Sequence, residues 1–338
     1  MSNKKILIIQ PLPGIGDCVW HLSHFHALAA TTSFNKVSIL TKPRSKSDQI
    51  LGCDPQIDQV LWLERKPGKH DGFLGIVRLV KLLRSKQFDS VWVLHQSVRY
   101  ALICWLAGIP SRYGYGFGLD RYFYNHQCLQ QKHKSLHPIE KANQLLSIHG
   151  VTLISSHCDL PICSALQKQV IKMFSLENKQ FLVFGIGSSE ASKLWPAEYF
   201  SSLILKLNRK NSALVYILLG GGKAEKDFSN NVIHMLPNSI RGNLVNGINL
   251  SIKDSLYLIS GAKCYIGNDT GFLNLAASLG ITSFGLFGSS PPLTFSPNLH
   301  AISPSSARVD QYTKNDAGMK EITVEQVYNA CVDSLDEN

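Results

Sequence analysis

The stretch YIGNDTGFLNLAASLG, residues 265–280, runs from a strand through a tight turn into a helix. An apolar strand ends in Gly267-Asn268-Asp269-Thr270-Gly271, and a helix of small residues starts at once. Asp269 and Thr270 are good helix-capping types, and Ala276-Ala277-Ser278 lets the helix pack close on a sheet. The positive end of such a helix lies at the carboxyl end of the strand, where it favours a diphosphate.

The same strand–loop–helix pattern recurs on both sides of this stretch. Short apolar runs at 4–10, 36–40, 59–63, 90–95, 181–187, 213–220, 264–268 and 282–288 predict strands. Amphipathic stretches at 17–31, 73–86, 97–107, 196–209, 251–260 and 271–279 predict helices between them. Continuous apolar strands alternating with helices are the mark of buried parallel sheet. The pattern restarts near residue 180, so the reading is an α/β chain of two Rossmann-like domains. The expected domains are 1–165 and 175–338, with a linker near 160–178 and a last helix able to pack back on the first domain. Ligands of such sheets bind at the carboxyl ends of strands, which selects the loops to read.

Composition agrees. The chain has 338 residues, 44% hydrophobic and 17% charged, which is ordinary for a globular protein. No apolar run reaches the ~18–20 residues that span a bilayer. The opening MSNKKILIIQPLPGIGD runs into Pro-Gly-Ile-Gly-Asp rather than a small-residue cleavage site, so it reads as a first strand of a cytoplasmic protein. Eight scattered cysteines contain no C-x-x-C pair and read as reduced, mostly buried thiols. Residues 1–165 carry 19 Lys and Arg against 10 Asp and Glu, whereas 166–338 carry 15 against 14. The basic half is therefore expected to meet something anionic, the alternative being a merely solvated basic surface.

Three further loops follow predicted strands. PLPGIGD (11–17) offers Gly14 and Gly16 for close backbone approach, then Asp17, which reads either as a helix cap or as a general base. GIGSSEASKLWP (185–196) offers Gly187, Ser188 and Ser189 to phosphate oxygens and Lys193 as a cation. LGGGKAE (219–225) offers Gly221 for close approach and Glu225 to accept from ribose hydroxyls. A surface glutamate and a plain glycine turn are the alternatives there. The dinucleotide fingerprint fails, because its third glycine position is Val19. A Walker A lysine, H-E-x-x-H, G-x-S-x-G and D-x-D are absent from the sequence.

Together, G-I-G-D, K-L-W-P-A-E-Y-F (193–200), L-G-G-G-K-A-E and G-N-D-T-G…L-A-A-S-L-G…L-F-G (267–288) resemble glycosyltransferase family 9, the lipopolysaccharide heptosyltransferases. R-Y-G-Y (112–115), with His137 ahead of a helix, resembles the family's middle segment. The resemblance implies a GT-B fold, with two parallel sheets facing a central cleft, acceptor on the first domain and nucleotide sugar on the second. It implies an inverting, metal-independent transfer of a sugar, by resemblance heptose from ADP-heptose, to a phosphorylated lipopolysaccharide-core or related glycan acceptor. No metal cofactor and no nucleic-acid partner are expected, and peripheral contact with the inner membrane is.

By the same resemblance Asp17 is the catalytic base, and Lys193 offsets charge on the leaving diphosphate. Preorganised donors of that kind contribute about 3–4 kcal/mol each at their best. The implied donor-binding residues are Gly187, Ser188, Ser189, Gly221, Glu225, Asp269, Thr270, Gly271 and Asn274. The implied acceptor-binding residues are Gly14, Gly16, Arg65, Lys66, Lys69 and Arg112. Two departures fall on the donor side: Asn274 stands where the family usually has histidine, and Ser-Ser-Pro-Pro (289–292) replaces Pro-Thr-Asp-Pro. The rival readings are a catalytically silent sugar-nucleotide-binding protein of the same fold, an NAD-dependent oxidoreductase and a nucleic-acid binder.

Overall fold

β1 (Ile6–Ile9) is wholly apolar and buried, and it pairs in parallel with β2 (Val37–Thr41) on one side and β4 (Ser90–Val93) on the other. β3 (Ile57–Trp62) extends the sheet beyond β2, and β5 (Ser111–Gly114) extends it beyond β4. The order is therefore β3-β2-β1-β4-β5, all parallel. The computed structural model describes residues 4–153, 159–188, 190–288, 290–292, 296–305 and 317–335.

A second sheet contains β6 (Phe181–Gly185), β7 (Val215–Gly220), β8 (Leu244–Ile248), β9 (Cys264–Asn268), β10 (Ser283–Leu286) and β11 (Leu299–Ile302). Its order is β11-β10-β9-β6-β7-β8, again all parallel. Each sheet thus winds outward in both directions from its first strand, and the winding reverses between β1 and β4 and between β6 and β9. Doubly wound sheets bind ligands beyond the carboxyl ends of the strands at this reversal.

The chain divides into compact units at residues 1–158 and 159–338. In the first, Leu7, Ile9, Val91 and Val93 pack with Leu79 and Leu83 of helix Gly72–Lys86 and with Ile103 and Cys104 of helix Val98–Leu106. In the second, Leu182, Phe184, Tyr216 and Ile266 pack with Phe200, Leu203 and Leu207 of helix Ala197–Lys210. Each such side chain gains roughly 1.5–3 kcal/mol from leaving water. The last long helix, Val324–Val332, packs within this second unit, on helix Ala197–Lys210 and on β10 and β11.

Several elements differ from the sequence reading. The segment 160–178 is not a bare linker: it contains helix Ser164–Met173, which packs on helix Ile252–Ser260 and donates from Gln167 Nε2 to the Ser260 carbonyl at 3.0 Å. The expected helix 17–31 is two helices, Ile15–Val19 and Leu22–Ala29, broken at Trp20 and His21. β5, β8 and β11 went unpredicted because these outer strands are partly exposed and, unlike the outer strand β3, do not read as apolar runs. Of the seven described cysteines, Cys18, Cys104, Cys264 and Cys331 are buried. Among the described residues no helix is long and apolar enough to cross a membrane.

Candidate functional site

In the first unit, the chain leaves β1 at Gln10 and turns at Gly14, the N-cap of helix Ile15–Val19. Asp17 is therefore the third helical residue and not the cap itself. Its Oδ2 accepts the Gly14 N–H at 2.8 Å, where the positive end of the helix favours an anion. A Cβ on Gly14 would lie 2.7 Å from that oxygen, which explains the glycine.

Burial raises the Asp17 carboxyl above its ordinary value, and the Gly14 hydrogen bond, His137 and Lys42 oppose that rise. The histidine comes from the start of helix Pro138–Ser147, and the lysine follows β2. His137 is in turn held below the usual imidazole range by burial and by Lys141, against the carboxylates of Glu140 and Asp17. His95, just past β4, is lowered by burial, Lys42 and Lys141. A half-buried carboxyl with a raised pKa, with His137 and Lys42 acting on it, can accept a proton from a hydroxyl. Lys42 and His95 escaped the sequence reading, because a single lysine or histidine in a loop carries no motif. His137 entered only through the resemblance.

The basic loop after β3 lies at the same edge of the sheet, but two of its cations have partners. Lys69 Nζ meets Glu64 at 2.6 Å and Arg65 Nε meets Asp71 at 3.5 Å. Lys66 is exposed. Exposed pairs of this kind are weak and exchange readily for a phosphate. Arg112, on β5, spends its guanidinium on backbone carbonyls, donating to Phe123 at 2.7 Å, Ile109 at 2.6 Å and Pro110 at 3.3 Å. Gly16 is buried inside the short helix.

In the second unit, the loops after β6 and β9 meet. Asn268, fully buried, donates from Nδ2 to the carbonyls of Ile186 (3.1 Å) and Gly187 (3.2 Å) and accepts from the Trp195 amide at 3.1 Å. It clamps both ends of the loop that carries Lys193. Trp195 is itself buried, with its indole N–H donating to the Ile322 carbonyl at 2.8 Å. Asn268 lies inside the G-N-D-T-G motif, which by itself gives it no role. A buried asparagine ending a strand was the available signal.

The clamped loop delivers Lys193 Nζ to Asp269 Oδ2 at 2.8 Å. Thr270 caps helix Gly271–Ser278, and Gly271 opens it, with first-turn amides able to face an anion. Asn274 donates from Nδ2 to the Thr270 carbonyl at 3.1 Å, back along its own helix. On the neighbouring loop after β7, Glu225 accepts the Gly221 N–H. A Cβ on Gly187 would stand 2.3 Å from Glu225 Oε2, so these two loops touch through a glycine. Gly222 caps the Glu225 helix at φ +93°, a conformation that favours glycine. Ser188 Oγ accepts the Glu190 N–H at 3.1 Å, and its own hydroxyl hydrogen can be donated elsewhere. Ser189 lies outside the described residues. Among the described residues no group of three or more His, Cys, Asp or Glu is arranged to hold a metal ion.

The profile of glycosyltransferase family 9 (heptosyltransferase) matches residues 76–326. The lipopolysaccharide heptosyltransferase 2 of Salmonella typhimurium is 26% identical over 310 residues, covering 87% of this chain and 85% of that protein. In fold, the chain is similar to the Escherichia coli ADP-heptose lipopolysaccharide heptosyltransferase II (TM-score 0.77, 21% identity, 98% of each chain covered). It is also similar to a family 9 glycosyltransferase from Veillonella parvula (TM-score 0.82, 19% identity, 99% of this chain and 98% of that one). Both sheets and their strand order are those of a GT-B glycosyltransferase, and the chain belongs to glycosyltransferase family 9, the heptosyltransferases.

Proposed function

We propose that this glycosyltransferase moves heptose from ADP-heptose to a phosphorylated acceptor of the lipopolysaccharide core, with inversion and without a metal ion. The observation that carries the reading is the chemistry at the two sheet reversals: a base-competent carboxyl, Asp17, in one unit, and a Lys193–Asp269 pair beside a helix start in the other. The names of the relatives supply the sugar and the acceptor class.

In this reading an acceptor hydroxyl oxygen attacks the anomeric carbon while Asp17 takes its proton. The bond from that carbon to the diphosphate oxygen breaks, and the electron pair leaves with ADP. Lys193 and the first-turn amides of helix Gly271–Ser278 offset the charge gathering on the diphosphate. Glu225 accepts from the ribose hydroxyls. Arg65, Lys66 and Lys69 meet acceptor phosphates, exchanging carboxylate partners for them. Peripheral contact with an anionic membrane surface fits the basic first half and is expected to weaken with salt.

Calorimetric titration with ADP, UDP, GDP and NADH in EDTA tests the donor. Binding of ADP alone among them is the expected outcome. Binding of another diphosphate in its place would change the donor's base, and silence on every diphosphate would overturn the transferase chemistry proposed here.

A further inference from the structure

Asp269 Oδ2 accepts two donors at once: Lys193 Nζ at 2.8 Å and Ser290 Oγ at 2.8 Å. The three residues come from three loops, following β6, β9 and β10. The Lys193 and Asp269 side chains are only 22% and 13% exposed, so the pair is largely withdrawn from water. A carboxylate in that setting loses heavily when its donors depart.

A diphosphate arriving at the start of helix Gly271–Ser278 competes with Asp269 for the Lys193 ammonium. Asp269 cannot follow its lysine, because it is fixed between the end of β9 and the Thr270 cap. Its carboxylate stays behind, and the hydroxyl already seated on the same oxygen is that of Ser290. We propose that Ser290 is a positioning residue: it keeps Asp269 satisfied when Lys193 turns to the donor, and so lowers the cost of releasing the lysine. Ser290 acts through Asp269 and touches no reacting atom. This inference rests on reading the second unit as the donor site.

The test is titration of ADP into the wild type, Ser290→Ala, Ser290→Thr and Lys193→Ala, and into the Lys193→Ala/Ser290→Ala double variant, with the Tm of each recorded. Ser290→Ala is expected to bind ADP about tenfold more weakly, the size of one hydrogen bond to a charged group. Ser290→Thr keeps a hydroxyl and is expected to stay within about twofold of wild type. In the Lys193→Ala background the serine change is expected to have no further effect, because it works through that lysine. Unchanged affinity in Ser290→Ala, or an equal loss with and without Lys193, would overturn the proposal. Failure of the wild type to bind any diphosphate would instead remove the donor-site reading beneath it.

Discussion

The Gly14 amide and the Asp17 carboxylate, 2.8 Å apart, close the first turn of the helix that follows β1. One side chain thus holds a local structure together and presents a carboxyl at the reversal point of its sheet. Closing that turn and the proposed base role fall to one and the same carboxyl group.

The raised pKa gives activity and stability opposite pH signatures. Burial raises the folded carboxyl above 3.8, so a base role makes kcat/KM fall as pH drops through that raised value. For stability the sign reverses. The folded state holds the proton more tightly than the unfolded chain, so this group's contribution grows as pH falls through the folded pKa. Asp17→Asn, whose amide oxygen can still accept from Gly14, should show a Tm at pH 7 no lower than wild type, with any gain shrinking toward pH 4. A wild-type kcat/KM flat down to pH 3.8 would contradict the base role.

Lys193→Ala should lower transfer by about 10²–10³-fold, as loss of a preorganised cation does. It should also lower the Tm, because Asp269 is left half-partnered at 13% exposure. Lys193→Ala/Asp269→Asn should recover most of the Tm and none of the activity. Comparing melting curves and turnover of the single and double variants checks both halves.

Asn268→Ala removes three hydrogen bonds and orphans two carbonyls and an amide in a buried place. The expected cost is about 2–4 kcal/mol, given ~1–3 kcal/mol for each unsatisfied group and partial relaxation around them. Denaturant midpoints measure it, and ADP titration should show weakened binding because the Lys193 loop loses its clamp. A stable variant with wild-type ADP affinity would deny Asn268 this part.

Gly187→Ala places a methyl 2.3 Å from Glu225 Oε2, so the carboxylate must swing away and give up the Gly221 amide. ADP affinity should fall about tenfold with the fold intact, if a charged hydrogen bond to the ribose is lost. Gly187→Ala in a Glu225→Ala background should add little. Full additivity in the titration would separate the two residues.

The inner strands were legible because both of their faces are covered: β1, β4, β6 and β7 are continuous apolar runs. β5, β8 and β11 lie at or near sheet edges, where one side of the pattern is released to solvent and periodicity fades. The residues proposed to hold the donor were legible as motifs since a strand, a glycine turn and a cap must follow in fixed order. What escaped were partners brought from distant loops. The Asn268 clamp joins positions 186, 187 and 195, and Lys42 acts on Asp17 from beyond another strand. The Ser-Ser-Pro-Pro loop looked like a departure from the family pattern, yet its second residue places a hydroxyl on Asp269, which only coordinates reveal.

The most direct measurement is acceptor-dependent release of ADP from ADP-heptose in EDTA, by the wild type and by Asp17→Asn at saturating donor. The predicted result is a kcat lower by at least about 10²-fold in Asp17→Asn, with ADP affinity unchanged. Equal turnover in the two proteins would contradict Asp17 as the base that takes the acceptor's proton.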